Sequence, residues 1–297
     1  MWFLGVSTGG SVIHRALPRW GALLGRRLRC QGVDLPLDAG PDDYVEFCDR
    51  LLATPSAAGA VVTTHKAALH RAAHARFARL DALAEQTGEI NAIRSDPSGL
   101  RGWARDPVSV GRVTDVIWPE PGRDVVCLGG GGTAIALLSH LARRPARPAS
   151  ITVCETGHRQ VRELHRFVDA LGSEIPVTVR HGRPGHPWDA EVSEAEPRSL
   201  IVNATGMGKD RPGAPVSDDV RFPEQAVIWE LNYRGDLRFL RLADAAAAKH
   251  GLSVHDGWSL FCHGWAAALT PVLDLQEDPT LGDRFAEAIT DLSPGRR

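Results

Sequence analysis

Four consecutive glycines, Gly129 to Gly132, end the apolar run Val125-Val126-Cys127-Leu128 and lead into Thr133-Ala134-Ile135-Ala136. The pattern G-x-G-x-x-A at Gly129, Gly131 and Ala134 suits a strand, a phosphate-binding turn and the first turn of a helix. One glycine makes the tight turn and the next lets backbone N–H groups reach a pyrophosphate. A small residue then lets the helix lie close to the strand with its positive end on the anion. Leu137, Leu138 and Leu141 continue the helical stripe, and Ile151-Thr152-Val153-Cys154 reads as the next strand. That strand ends in Glu155, 26 residues beyond Gly129, close to the ~20 at which an acidic residue meets the adenosine ribose of a dinucleotide. Gly129, Gly130, Gly131, Gly132, Thr133, Ala134 and Glu155 are therefore the expected cofactor contacts. Two further charged groups, Lys66 and Asp106, each sit just past a predicted strand. In an α/β sheet that is where loops gather and ligands bind.

These residues need a scaffold, and the chain supplies alternating elements. Phe3 to Val6 reads as a strand that runs into Ser7-Thr8-Gly9-Gly10-Ser11, after which Val12, Ile13, Ala16, Leu17, Trp20 and Leu23 recur at helical spacing. Val33 to Leu37 is a second strand and Tyr44 to Leu52 a helix. Ala58 to Val62 is a third strand, ending in Thr63-Thr64-His65-Lys66 before a helix from Ala67 to Phe77. A helix from Leu80 to Glu85, a strand from Gly88 to Ile93 and its hairpin partner Leu100 to Trp103 follow. A connecting helix and a linker at Pro121-Gly122 lead to the glycine turn. Beyond Glu155, a helix over Val161 to Leu171, a strand at Val177 to Val179, a loop from His181 to Glu196 and strands at 200–205 and 226–231 continue the alternation. A helix from Leu237 to His250, the short run Val254 to Asp256 and an apolar helix from Leu260 to Leu273 close the chain. The alternation predicts a parallel, doubly wound sheet. The expected domains are 1–107 for substrate, 108–238 as a Rossmann domain, and 239–297 as helices returning to the first.

Composition narrows the classes. At 297 residues, 43% hydrophobic and 24% charged, the chain is a globular protein with room for two domains. A net charge of −2 gives no field that favours nucleic acid or an anionic membrane, and Arg26-Arg27-Leu28-Arg29 reads as a solvated helix face. Cys30, Cys48, Cys127, Cys154 and Cys262 are scattered, odd in number and without a C-x-x-C pair. Reduced thiols in the cytoplasm are expected, with neither disulfides nor a metal site. Met1 to Val6 lacks a basic leader and reads as a first strand, and no apolar run reaches the ~18 residues of a membrane span.

Taken in order, these landmarks resemble the shikimate dehydrogenase family, including the quinate/shikimate dehydrogenases, over essentially the whole chain. The family's N-V-T-x-P-H-K is similar to Ala60-Val61-Val62-Thr63-Thr64-His65-Lys66, its G-A-V-N-T to Gly88-Glu89-Ile90-Asn91-Ala92, and its G-x-N-T-D to Gly102-Trp103-Ala104-Arg105-Asp106. Beyond the glycine turn, its I-N-A-T resembles Val202-Asn203-Ala204-Thr205, its D-x-x-Y resembles Glu230-Leu231-Asn232-Tyr233, and its G-x-x-x-L resembles Gly257 to Phe261. The resemblance implies an α/β substrate domain, a Rossmann domain for a nicotinamide dinucleotide, and interconversion of a secondary alcohol and a ketone. That chemistry needs a proton to leave the oxygen as hydride leaves the carbon, beside a cation that steadies alkoxide character. Lys66 is the implied general acid/base and Asp106 the carboxylate that orients it and holds the substrate hydroxyl. Ser7, Thr8, Ser11, Thr63, Asn91, Arg105, Tyr233 and His263 are the implied substrate contacts. Asn203, Ala204, Thr205 and Gly257 join the cofactor set, while His14 and His65 are expected to make structural hydrogen bonds.

The departures from the family pattern concentrate on the substrate. Its S-x-S-P loop aligns with Thr8-Gly9-Gly10-Ser11, its Asn and Thr before the lysine are Ala60 and Val62, and its C-terminal glutamine falls on Gly264 beside His263. Unpaired buried polar atoms cost on the order of 1–3 kcal/mol each, so a substrate other than shikimate is expected, small, polyhydroxylated and cyclic. Arg105 is a candidate anchor for a carboxylate or phosphate. NADP-preferring members carry N-R-T where this chain has Glu155-Thr156-Gly157, so NAD is expected over NADP; His158 and Arg159 keep NADP as the alternative. A true shikimate or quinate dehydrogenase and a non-catalytic nicotinamide-binding sensor are the competing readings. A monomer or homodimer without nucleic-acid or membrane partners is expected.

Overall fold

The structure is a computed structural model that describes residues 1–120, 122–209 and 211–294. Pro121 of the expected linker lies outside them. The chain forms two compact units, Met1–Ser109 with Cys262–Ser293, and Val110–Phe261.

The first unit begins with β1 (Trp2–Gly5), α1 (Ile13–Leu23), β2 (Gln31–Asp34), α2 (Pro41–Leu52), β3 (Gly59–Val62) and α3 (Lys66–Ala73). It continues with β4 (Phe77–Leu80), α4 (Ala82–Thr87), β5 (Ala92–Asp96) and β6 (Gly99–Trp103). The sheet order is β2-β1-β3-β5-β6-β4. β1 pairs in parallel with β2 and β3, and β5 turns the sheet antiparallel. Strands β1 and β3 are buried along their whole length, which fits an apolar strand covered on both faces. The helix expected to continue to Phe77 stops at Ala73. Phe77–Leu80 is instead the edge strand β4, parallel to β6. Exposed Ala78 and Arg79 give this strand no apolar run to read, so its state is set by pairing. The strand expected from Gly88 starts only at Ala92. Gly88, at φ 65°, caps α4 in the left-handed region.

The chain leaves this unit within α5 (Asp106–Ile117). The second unit contains β7 (Asp124–Leu128), α6 (Gly132–Arg143), β8 (Ser150–Glu155), α7 (His158–Leu171) and β9 (Val177–His181). Then come α8 (Asp189–Ser193), β10 (Leu200–Asn203), β11 (Val227–Glu230), α9 (Arg238–His250) and β12 (Ser253–His255). All six strands are parallel in the order β12-β11-β10-β7-β8-β9, the doubly wound arrangement expected from the alternation. Side chains alternate between two cores. Val125, Cys127, Val202 and Trp229 pack on one face, and Val126, Leu128, Ile201 and Ile228 on the other.

The boundary expected at 238/239 falls instead at Phe261/Cys262. The reason is that α9 leads into β12, which hydrogen-bonds to β11 and completes this sheet. α10 (Trp258–Val272) crosses back, and α11 (Leu281–Ala288) ends the first unit. There Trp20 stacks on Phe285 with ring centroids 4.5 Å apart and donates its indole N–H to the Phe285 carbonyl at 2.9 Å. Among the described residues, no helix is long and apolar enough to cross a membrane.

Candidate active site

Lys66 owes its position to a tight turn at the end of β3. Thr64 adopts φ 43°, and the His65 N–H donates back to the Thr63 carbonyl. Such a turn at a non-glycine residue is strained by roughly 1–3 kcal/mol. It is also one that the proline of the family motif could not make, because the pyrrolidine ring holds φ negative. His65 secures the turn. Its Nε2 donates to the Leu35 carbonyl at 3.0 Å, and its Nδ1 accepts from the Tyr44 hydroxyl at 2.8 Å. His14 likewise reaches the Thr8 carbonyl, at 3.0 Å.

The turn delivers Lys66 to the start of α3, where its Nζ pairs directly with the Asp106 carboxylate, both side chains more than four-fifths buried. Asp106 opens α5, and its other oxygen accepts from Asn91 Nδ2 at 2.5 Å. Asn91 is fixed in turn: its Oδ1 accepts the Arg105 N–H at 2.7 Å, and its own N–H donates to the Trp103 carbonyl at 2.9 Å. The three residues thus come from three different segments and meet in one constellation.

A fourth residue, not singled out by sequence, acts electrostatically on the pair. Glu89 is buried, and the next N–H in the chain, that of Ile90, donates to the Lys66 carbonyl at 3.2 Å. Burial pushes the Glu89 carboxyl above its ordinary range; Lys66 opposes this and Asp106 reinforces it. Burial works to lower the Lys66 ammonium, but the charges of Asp106 and Glu89 and the bond to Asp106 outweigh it, so its pKa is raised. The available signal was a carboxylate at the alanine of the family's G-A-V-N-T.

Several expected substrate contacts have partners of their own within the first unit. Thr8 is buried, and its hydroxyl and N–H, the latter at 2.8 Å, both bond to Asp34. Arg105 bonds to the Ala267 carbonyl at 3.2 Å and pairs with Glu277. His263 is buried, reaching Asp283 at 3.2 Å. Ser11 accepts the Ile13 N–H at 3.3 Å. Ser7 and Thr63 are exposed. Tyr233 belongs to the second unit, where its ring meets those of Trp258 and Phe261.

In the second unit the glycine turn follows β7. Gly129 has φ 103°, and a Cβ there would come within 2.8 Å of the Ala204 and Thr205 backbone. Around Gly131 a Cβ would meet nothing within 4 Å, and no side chain caps α6. An open approach to uncapped helix N–H groups fits a pyrophosphate. Thr133 and Ala134 form the first turn of α6. The Glu155 carboxylate ends β8 and accepts the N–H groups of Gly130, Thr156 and Gly157, each at 2.7 Å.

Opposite, buried Glu230 accepts from Asn203 Nδ2 at 2.6 Å and from the backbone and side chain of Asn232 at 2.8 and 2.6 Å. Burial pushes its pKa up to about 7 against those donors. Asn203 Oδ1 then accepts from the Thr205 N–H and hydroxyl at 3.1 and 2.7 Å, and Ala204 N–H bonds to the Leu128 carbonyl at 2.7 Å. Gly257 leaves no room for a side chain against the Leu231 carbonyl. The loops after β7 and β10 flank the point where strand order reverses, the usual ligand site of an open α/β sheet.

No protein-family model matches the chain. A curated shikimate dehydrogenase (NADP(+)) from Symbiobacterium thermophilum is 31% identical over 150 residues, half of this chain and 48% of that relative, so the match spans about half its length. Another from Rhizobium rhizogenes is 25% identical over 262 residues, 86% of this chain and 84% of the relative. Among solved structures, quinate dehydrogenase from Corynebacterium glutamicum in complex with NAD superposes with a TM-score of 0.77 at 20% identity, covering 98% of both chains. Shikimate 5-dehydrogenase from Thermus thermophilus in complex with shikimate does so at 0.70 and 22%, covering 96% of both. Sequence relatives and architecture thus converge with the order of the motifs: the chain is similar to shikimate dehydrogenases over most of its length and shares the fold of the shikimate and quinate dehydrogenases.

Proposed function

We propose that the protein is a nicotinamide-dependent dehydrogenase that interconverts a secondary alcohol and its ketone on a small, polyhydroxylated, cyclic substrate other than shikimate. The observation that carries this reading is the buried Lys66–Asp106 pair, braced by Asn91. Lys66, kept protonated by its acidic neighbours, donates to the substrate oxygen and steadies alkoxide character as it develops. Asp106 orients the ammonium and accepts from the substrate hydroxyl, and Asn91 fixes Asp106. In the oxidising direction the hydroxyl proton passes to this pair as hydride departs from the carbon. A nicotinamide dinucleotide held by Gly129 to Ala134 supplies the hydride acceptor.

The substrate inference rests on commitments made within the protein. Thr8 spends its hydroxyl on Asp34, and Arg105 spends its guanidinium on Glu277. A carboxylate seeking these groups would have to displace buried or paired partners, at about 1–3 kcal/mol for each polar group left unmatched. Glu155 supports NAD over NADP, since a carboxylate at the end of β8 repels a 2′-phosphate and accepts from ribose hydroxyls. Purified protein would be assayed with NAD and separately NADP against shikimate, quinate, cyclitols and hydroxy acids, following absorbance of the reduced nicotinamide. NAD-dependent turnover of another alcohol with silence on shikimate is expected. Shikimate or quinate turnover would make this an ordinary member of the family, and dinucleotide binding without turnover of any alcohol would favour a sensor.

A further inference from the structure

The site contains one more acid than base. Lys66 and Asp106 form a buried ion pair, and Glu89, 7% exposed, is a second carboxyl whose charge acts on it. Backbone geometry holds it there. Gly88 ends α4 in the left-handed region, the Ile90 N–H is tied to the Lys66 carbonyl, and Asn91, two residues on, grips Asp106. The charged groups acting on Glu89 are Lys66 from the start of α3 and Asp106 from the start of α5. With all three ionised, the cluster carries an uncompensated negative charge in largely buried surroundings, a costly state.

We propose that Glu89 is a positioning residue that sets the charge beside the Lys66–Asp106 pair, the cluster being neutral while Glu89 holds a proton and negative once Glu89 loses it. Burial pushes the Glu89 carboxyl up, in the direction this requires. The consequence for catalysis rests on the dehydrogenase reading above. An ionised Glu89 opposes negative charge developing on the substrate oxygen, so alcohol oxidation slows as the cluster loses its proton.

Glu89→Gln, a neutral variant of the same shape, tests this in two ways. In denaturant and thermal unfolding between about pH 5 and 9, the wild type loses stability relative to Glu89→Gln as pH rises, because a carboxyl raised by folding stabilises only while protonated. The gap in melting temperature widens by about 3 °C or more; a constant gap overturns the proposal. This arm needs no substrate, so it stands or falls separately from the proposed function. In steady-state oxidation of a turned-over alcohol, Glu89→Gln removes the alkaline fall in kcat that Glu89 causes and leaves KM unchanged. An unaltered pH profile with uniformly lower kcat marks a merely structural role. If Glu89→Gln does not fold, carboxyl carbon NMR of the wild type decides. Two glutamate signals, those of Glu89 and Glu230, are expected to titrate above the ordinary range, and a single such signal that vanishes in Glu230→Gln overturns the proposal.

Discussion

In the proposed function Lys66, Asp106 and Asn91 carry the chemistry, and each is held in place by more than its own side chain. Asp106→Asn leaves the shape of the constellation but removes the carboxylate that orients Lys66. A loss in kcat on the order of 10²–10⁴ is expected, with dinucleotide affinity unchanged by isothermal titration, since the glycine turn lies in the other unit. Glu230 supplies a pH prediction. Its pKa is raised from 4.5 to about 7, so its protonated form is the one that folding favours. Its contribution is complete below about pH 4.5 and disappears as pH rises through about 7, a change of order 3 kcal/mol. Glu230→Gln points an amide at one of three N–H donors and is destabilised at acidic pH. That deficit shrinks toward pH 9 when unfolding free energies of variant and wild type are compared. The pair Lys66 and Asp106 was legible in the sequence because motif spacing fixed both. Glu89 was not, because a lone carboxylate reads as solvated until burial is known. The partners of Thr8, Arg105 and His263 were equally hidden, since Asp34, Glu277 and Asp283 lie 20 to 172 residues away in sequence.

The turns that end β3 and β7 do the positioning, and they fail in different ways. At Gly129, positive φ and a Cβ within 2.8 Å of backbone make Gly129→Ala destabilising by roughly 1–3 kcal/mol. At Gly131, where φ is −78° and a Cβ meets nothing within 4 Å, Gly131→Ala leaves the melting temperature nearly unchanged. In the proposed function it still weakens nicotinamide-dinucleotide binding, by about tenfold or more, because the new methyl group occupies the approach of the pyrophosphate. Equal effects of the two variants on stability would contradict this account. Thr64→Pro cannot adopt φ 43°, so it must remake the turn before Lys66. Lower kcat with unchanged dinucleotide affinity is the expected result. The glycine turn could be read from sequence because only glycine tolerates its geometry. The Thr64 turn could not, since threonine signals nothing about positive φ. Strand β4 was hidden for a related reason: an edge strand with exposed Ala78 and Arg79 carries no periodicity, and only its pairing with β6 defines it.

Across the whole chain, the alternation of buried strands and helices foretold the parallel sheet of the second unit, because strands covered on both faces must be apolar throughout. The mixed sheet of the first unit was visible only at its hairpin, whose turn residues are local. The end of the second unit was not legible in the sequence, since nothing in Val254 to Asp256 tells which sheet this short strand joins. These architectures serve one claim, that Lys66 and Asp106 exchange a proton with a substrate hydroxyl while hydride passes to a nicotinamide. The most direct test is to follow reduced nicotinamide for wild type and Lys66→Ala side by side across the alcohol panel, with dinucleotide affinity measured in parallel. The account predicts turnover of at least one secondary alcohol by the wild type, cut by on the order of 10²–10⁴ in the variant with affinity for the dinucleotide retained. Turnover that survives in Lys66→Ala, or a wild type that binds dinucleotide yet turns over no alcohol in either direction, would contradict it.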